Sequence, residues 1–153
     1  MYLLDTNILS NLIRKTPNVA LHDRMRASPP ETLFTSCICV MELRQGAARR
    51  RDSGALWTRI QREILSRVSV LSLEEKEALI AGDVLAHLET AGMPIGIEDV
   101  LIGATALGGA MTVVTNNVAH CTCNGEILEA ALKLPPTGPI GLESDRGQME
   151  YRR

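Results

Sequence analysis

A chain of 153 residues with 45% hydrophobic and 22% charged residues is long enough to bury one full core and too apolar to be disordered. Aromatics are only 3% of it, so the core is built from Leu, Ile, Val, Ala and Met, and single-strand recognition by base stacking is disfavoured. A formal net charge of −2 does not announce a polyanion binder.

Tyr2 to Leu4 reads as a short buried strand that stops abruptly on Asp5. Asp5 is the only ionisable side chain between Tyr2 and Arg14, and it precedes a helix from about Asn7 to Arg14. Asp5 therefore either caps that helix or holds a ligand at the carboxyl end of a strand. Because Asp5 interrupts the first apolar run and no basic region precedes it, a signal peptide is not expected, and a cytoplasmic location is. Asn18 is positioned to cap a helix over Val19–Ala27, which Ser28-Pro29-Pro30 ends. Leu33 to Thr35 is a second strand, Ser36 an N-cap, and Cys37 to Arg50 a helix. A further helix runs from Ala55 to Ser66, and Val68 to Leu71 is the third strand.

Ser72-Leu73-Glu74-Glu75 has the spacing of a capping box, opening a helix to about Thr90 with Ala78, Leu79, Val84, Leu85 and Leu88 inward. A helix of small and aliphatic residues follows from Glu98 to Leu107, stopped by Gly108-Gly109, and Met111 to Val114 is the fourth strand. The stretch from Val100 to Gly125 has no Asp, Glu, Lys or Arg, but the glycine pair and Thr115-Asn116-Asn117 divide it, so no membrane span is expected. Short apolar strands separated by helices predict an α/β protein, a three-layer α/β/α sandwich with a short central parallel sheet.

Between Arg44 and Arg67 seven arginines face two acids, the pattern of a solvated helix face or of a surface that meets a polyanion. The cysteines fall as Cys37/Cys39 and Cys121/Cys123. C-x-C is not a zinc spacing, and in an apolar run Cys behaves as a small hydrophobe.

Three carboxylates stand alone. Asp5 ends the first strand, Glu42 is the only charge in the run Ser36–Leu43, and Asp99 opens a helix with no charge after it until Glu126. Helix dipole alone accounts for an acid in a first turn. Glu42, in an apolar helix, is expected to be buried and must be paired or ligated. Asp5, Asp99 and Asn117 all fall on one rim of the sheet, and Glu42 belongs to a helix that begins there. Converging carboxylates repel one another, and a hard divalent cation such as Mg²⁺ or Mn²⁺ relieves that.

Four segments in order, Leu3-Leu4-Asp5-Thr6-Asn7-Ile8-Leu9-Ser10, Thr35-Ser36 through Val40-Met41-Glu42-Leu43, Ile95 to Ile102, and Val114-Thr115-Asn116-Asn117, resemble the four motifs of PIN-domain ribonucleases, the VapC toxins in particular. The resemblance covers about residues 1 to 120. It implies a Mg²⁺- or Mn²⁺-dependent endoribonuclease that hydrolyses RNA phosphodiester bonds with a metal-activated water. It also implies a homodimer held inactive by a VapB-type antitoxin. The family's acidic metal ligands fall on Asp5, Glu42 and Asp99, and its fourth catalytic position on Asn117. Thr6, Asn7 and Thr115 fall on supporting positions, and Arg44, Arg49, Arg50 and Arg51 become candidates for RNA or antitoxin contact.

Residues 1–120 are accordingly read as a PIN domain and 121–153 as a divergent tail, partly helical and then poorly ordered. Relatives continue past the fourth motif into a final strand, whereas His120 is followed by Cys121-Thr122-Cys123 and a run rich in Pro and Gly, so the last strand is expected to be missing or altered. Two rivals remain: a PIN-like protein that binds antitoxin or RNA but cuts poorly, and a Mg²⁺-dependent phosphatase or receiver domain. The phosphatase pattern wants an Asp where Asn7 stands, and the receiver an acid pair where only Asp5 is present. His22, His87 and His120 lie outside the four motifs, which leaves histidine chemistry without support.

Overall fold

The structure is a computed structural model that describes residues 1–14, 16, 18–93 and 95–116. Among the described residues four strands form one sheet in the order β3-β2-β1-β4: β1 is Tyr2–Leu4, β2 Leu33–Ser36, β3 Ser69–Leu71 and β4 Thr112–Val114. Every neighbouring pair is parallel, with Leu3 opposite both Phe34 and Val113, and Thr35 opposite Val70. All four strands thus end on one rim. Among the described residues six α-helices accompany them: α1 (Thr6–Leu12), α2 (Val19–Ala27), α3 (Cys37–Ala48), α4 (Ser53–Glu63), α5 (Glu75–Thr90) and α6 (Ile97–Gly108). This is the expected α/β/α sandwich.

The core lies between sheet and helices. Leu3, Leu9, Leu33, Leu43, Ile60, Ile64, Ile102 and Val113 pack into one buried cluster, joined by the side chains of α1, α3, α4 and α6. A second cluster, Ala81, Val84, Leu88, Val100 and Ala104, cements α5 to α6. Aliphatic residues supply nearly all of this burial, as the lack of aromatics requires. Thr35 is fully buried, and its hydroxyl donates to the Leu4 carbonyl at 2.9 Å, so the polar atom nearest the rim is satisfied.

The helix starts follow local chemistry. Asp5 caps α1 by accepting from the Thr6 amide at 2.6 Å, Asn18 caps α2, and Ser36 caps α3 by accepting from the Cys39 amide at 3.1 Å. The capping box of α5 is not Ser72/Glu75. Glu74 is the cap, and Glu77 reaches back to its amide at 3.2 Å. A carboxylate at the cap accepts an amide hydrogen as well as a hydroxyl does, and the helix begins two residues later than the Ser72 spacing implied. Of the α5 residues expected inward, Val84 and Leu88 are buried and Leu85 half-buried, while Ala78 and Leu79 face solvent. Ala81, Val84 and Leu88 at i, i+3 and i+7 form the inner face, which puts Leu79 on the opposite side of the helix and leaves Ala78 exposed in its first turn.

Smaller differences concern helix and strand ends. α3 stops at Ala48 and not Arg50, and α4 runs over Ser53–Glu63, with a 3₁₀ turn at Leu65–Arg67 where the end of a longer helix was expected. Val68 and Met111 are buried residues just ahead of their strands. Gly109 caps α6, but the left-handed turn that closes it falls on Ala110, at φ 49°. The Met111 amide then bonds back to the Ala106 carbonyl at 2.9 Å, which aims β4 into the sheet. Asn117, His120 and the divergent tail at 121–153, with the expected loss of a final strand, lie outside the described residues.

Candidate functional site

At the rim, Asp5 is the first residue past β1. Its amide still pairs with the sheet, donating to the Val114 carbonyl at 3.0 Å, and only 8% of the residue is exposed. A carboxylate so placed must be heavily bonded, and it is. Oδ1 accepts from the Thr6 amide at 2.6 Å, and Oδ2 accepts from Asn7 Nδ2 at 2.5 Å and from the Thr115 hydroxyl at 2.7 Å. Asn7 Nδ2 also donates to Thr115 Oγ1 at 2.7 Å, and Asn7 Oδ1 accepts from the Asn116 amide at 2.9 Å. Asn7 therefore ties the residues after β4 to those after β1. All of these donors are neutral, so Asp5 is held in place without being neutralised.

Glu42 lies in the second turn of α3, facing the same spot. The Thr6 hydroxyl donates to Glu42 Oε2 and joins α1 to α3. Glu42 is half-buried and not fully buried: on α3 it stands at the edge of the packed face, between exposed Met41 and buried Leu43. Burial holds the Glu42 carboxyl above its ordinary value of 4.5; the Thr6 hydrogen bond opposes this, and the charges of Asp5, Asp99 and Glu98 add to it. Repulsion among acids is thus a property of the folded site.

Asp99, half-buried, stands in the first turn of α6. A methyl group on Gly96, the residue before the helix, would lie 3.3 Å from Asp99 Oδ2, so the carboxylate curls toward its own helix N-terminus while its charge still reaches Glu42. Among the described residues the closest set of metal-ligating atoms is Asp5, Glu42 and Cys39, one atom from each lying within 4.8 Å of the others. Asp99 is not in that set.

Cys39 and Glu98 escaped the sequence reading. Cys39 is fully buried, as a small hydrophobe would be, yet its sulfur is turned to the carboxylates. The available signal was spacing: Cys39 precedes Glu42 by three residues, which puts both on one face of α3. The arginines lie apart from this centre. Arg44 is exposed, with its guanidinium 5.2 Å from the Trp57 ring centroid; Arg49, Arg50 and Arg51 are exposed past the end of α3, and Arg50 pairs with Asp52 at 3.2 Å. The ion pairs among the described residues all lie on this outer surface.

Two carboxylates held by neutral donors, with the charge of Asp99 acting on Glu42, form an anionic cluster of hard oxygen atoms. Residues 2–121 match the family described as PIN domain. The chain belongs to the PIN-domain family. Plasmid stability protein StbB of Pseudomonas syringae pv. tomato is 35% identical over 124 residues, spanning 76% of this chain and 88% of that protein. VapC ribonuclease Y4jK of Sinorhizobium fredii is 32% identical, over 78% of this chain and 89% of its own. Among solved structures, VapBC2 from Rickettsia felis, bound to a DNA fragment from its promoter, superimposes with a TM-score of 0.72 at 27% identity, covering 80% of this chain and 91% of that one. The PIN-domain match takes in Asp5, Glu42, Asp99, Thr115 and Asn117. The donor chemistry at Asp5 and Glu42 fits the hard divalent cation that the sequence resemblance implied.

Proposed function

We propose that the chain is the toxin of a VapBC-type toxin–antitoxin pair, an endoribonuclease that hydrolyses RNA phosphodiester bonds with Mg²⁺ or Mn²⁺. The observation that carries this reading is the pairing of Asp5 and Glu42 on one rim, repelling each other and, among the described residues, hydrogen-bonded by neutral donors. Asp5, Glu42 and Asp99 would hold the ion, with Asn117 as the fourth position of the catalytic set. When bound, the ion offsets charge on the phosphoryl oxygens and makes a water more acidic.

The chain's own residues prepare the site. Thr115, Asn7 and the Thr6 amide lock the Asp5 carboxylate in one orientation, which is the positioning a phosphodiester in line with a water requires. Thr6 does the same for Glu42. Left without a cation, the carboxylates would repel an RNA phosphate, so binding of substrate and of ion are coupled. Relatives crystallised as VapBC complexes support a VapB-type antitoxin as the partner, and the family resemblance supports a homodimer. No described helix is long and apolar enough to cross a membrane, and we place the protein in the cytoplasm.

The test is cleavage of a structured RNA by purified protein with Mg²⁺ and with EDTA, beside Asp5→Asn. Cutting that requires both the ion and Asp5 is the expected result. Cutting that survives EDTA or Asp5→Asn overturns the site assignment, and no cutting by the folded protein overturns the nuclease.

A further inference from the structure

Cys39 gives the acidic pocket a donor of different chemistry. Its Sγ lies within 4.8 Å of a carboxylate oxygen of Asp5 and of Glu42. The residue is 0% exposed, and the Ser36 hydroxyl donates to the sulfur at 3.3 Å, fixing where it points. Cys39 sits in the first turn of α3 and Glu42 one turn further on, so both side chains are carried by one rigid element. Asp5, at the end of β1, is equally fixed by its hydrogen bonds. Around a tetrahedral zinc ion, a sulfur and an oxygen ligand stand about 3.5 Å apart, and the three donors already lie within 4.8 Å of one another.

Hard ions such as Mg²⁺ take oxygen ligands and ignore a thiol, whereas Zn²⁺ binds thiolate and carboxylate together. We propose that Asp5, Cys39 and Glu42 form a thiolate–carboxylate site for Zn²⁺, which excludes the hard ion and so regulates the pocket. The inference rests on the proposed function only in that the excluded ion would be the nuclease's own. On binding, the Cys39 S–H bond breaks, its proton passes to buffer and an S–Zn bond forms, with no change of oxidation state. A water or a further protein oxygen completes the four-coordinate shell. Mg²⁺ never engages the sulfur. Micromolar Zn²⁺ would then hold the site against a much larger concentration of Mg²⁺.

The experiment uses the full chain and Co²⁺ as a spectroscopic stand-in for Zn²⁺. A variant with Cys37, Cys121 and Cys123 all replaced by Ser keeps Cys39 as its only thiol. Titration of this variant with Co²⁺ is expected to give a sulfur-to-cobalt charge-transfer band that excess Zn²⁺ removes and millimolar Mg²⁺ does not. Cys39→Ser in the full chain is expected to weaken Zn²⁺ binding, followed by proton release and competition with a chelating dye, by at least about tenfold. No band from the single-thiol variant overturns the proposal, as does equal Zn²⁺ affinity in a folded Cys39→Ser. Should Cys39→Ser fail to fold, the single-thiol titration decides alone. RNA cleavage with Mg²⁺ in a protein that gives no band overturns the zinc site and leaves the nuclease standing. The band without any cleavage does the reverse.

Discussion

The Thr115 hydroxyl donates to Asp5 Oδ2 at 2.7 Å, joining the end of β4 to the end of β1 across 110 positions of sequence. Two adjacent parallel strands end together, and the residue just past one orients the carboxylate just past the other. Removing the hydroxyl without changing the shape isolates that role. Thr115→Val is expected to cost about 1–2 kcal/mol of stability, because Asn7 Nδ2 also loses its acceptor there. RNA cleavage should fall by about tenfold or more as Asp5 gains freedom, with the circular-dichroism spectrum unchanged. Full activity in Thr115→Val would show that Asn7 and Thr6 alone suffice to hold Asp5.

Glu42 contributes to the pH dependence of the ion-free protein. Burial raises its carboxyl above 4.5, with the like charges of Asp5, Asp99 and Glu98 contributing. The folded state therefore holds the Glu42 proton to higher pH than the unfolded chain does, and protons bound in excess by the folded state stabilise it as pH falls. In EDTA, stability should drop as pH rises from 4.5 through the raised Glu42 value and then level off. Glu42→Gln should flatten that segment of the curve and raise the melting temperature at neutral pH in EDTA. In millimolar Mg²⁺ the order should reverse, since only the carboxylate gains from the ion. A denaturation series across pH in both buffers measures this; the same slope in wild type and Glu42→Gln would contradict it.

The fold was legible because its strands are short apolar runs and its helices carry ordinary caps. Asp5, Asn18 and Ser36 each sit where a side-chain oxygen meets orphan amides. Glu74 hid behind Ser72, since residue preference ranks Ser above Glu at a cap while the structure uses the carboxylate. The three acids were visible as charges in apolar surroundings. Which of them crowd together was not, because that depends on how far α6 stands from α1 and α3. Cys39 was read as a hydrophobe on composition, and only the fold turns its sulfur to Asp5. Asn117 was singled out by its place after Val114-Thr115, and it lies outside the described residues.

The arginines past α3 have a separable role. Arg49, Arg50 and Arg51 are exposed, and the Arg50–Asp52 pair at 3.2 Å is an exposed one that contributes little to stability. Replacing all three by Ala should leave the melting temperature within about 1 °C, since surface substitutions of this kind move stability little. If they meet RNA phosphates, affinity should fall alike for all sequences, and the slope of log affinity against log salt should drop by about 2. Binding measured across salt concentrations tests this. An unchanged slope, with weakened binding of the antitoxin, would assign the run to the protein partner instead.

Ala110 carries the turn that delivers β4 to the rim. It is the only described non-glycine residue with positive φ, at 49°, and it follows Gly109 at the end of α6. Alanine in the left-handed region costs about 1–2 kcal/mol, and glycine there avoids the clash but gives up about 0.5–1 kcal/mol in unfolded-chain entropy. Ala110→Gly should therefore stabilise the protein by about 0.5–1 kcal/mol, a gain of about 1–4 °C in melting temperature. Ala110→Val should destabilise it more strongly, because a β-branched side chain tolerates that conformation least. The same turn is tied by Met111 to Ala106 at 2.9 Å, and Lys76 donates to the Gly108 carbonyl at 2.7 Å, so the helix end stays closed in either variant. Thr115 lies five residues further on, beyond β4, and neither change alters its bond to Asp5. Calorimetry on the pair, with RNA cleavage as control, separates strain at the turn from damage to the site. A loss of stability in Ala110→Gly would mean that the turn is not held left-handed in solution.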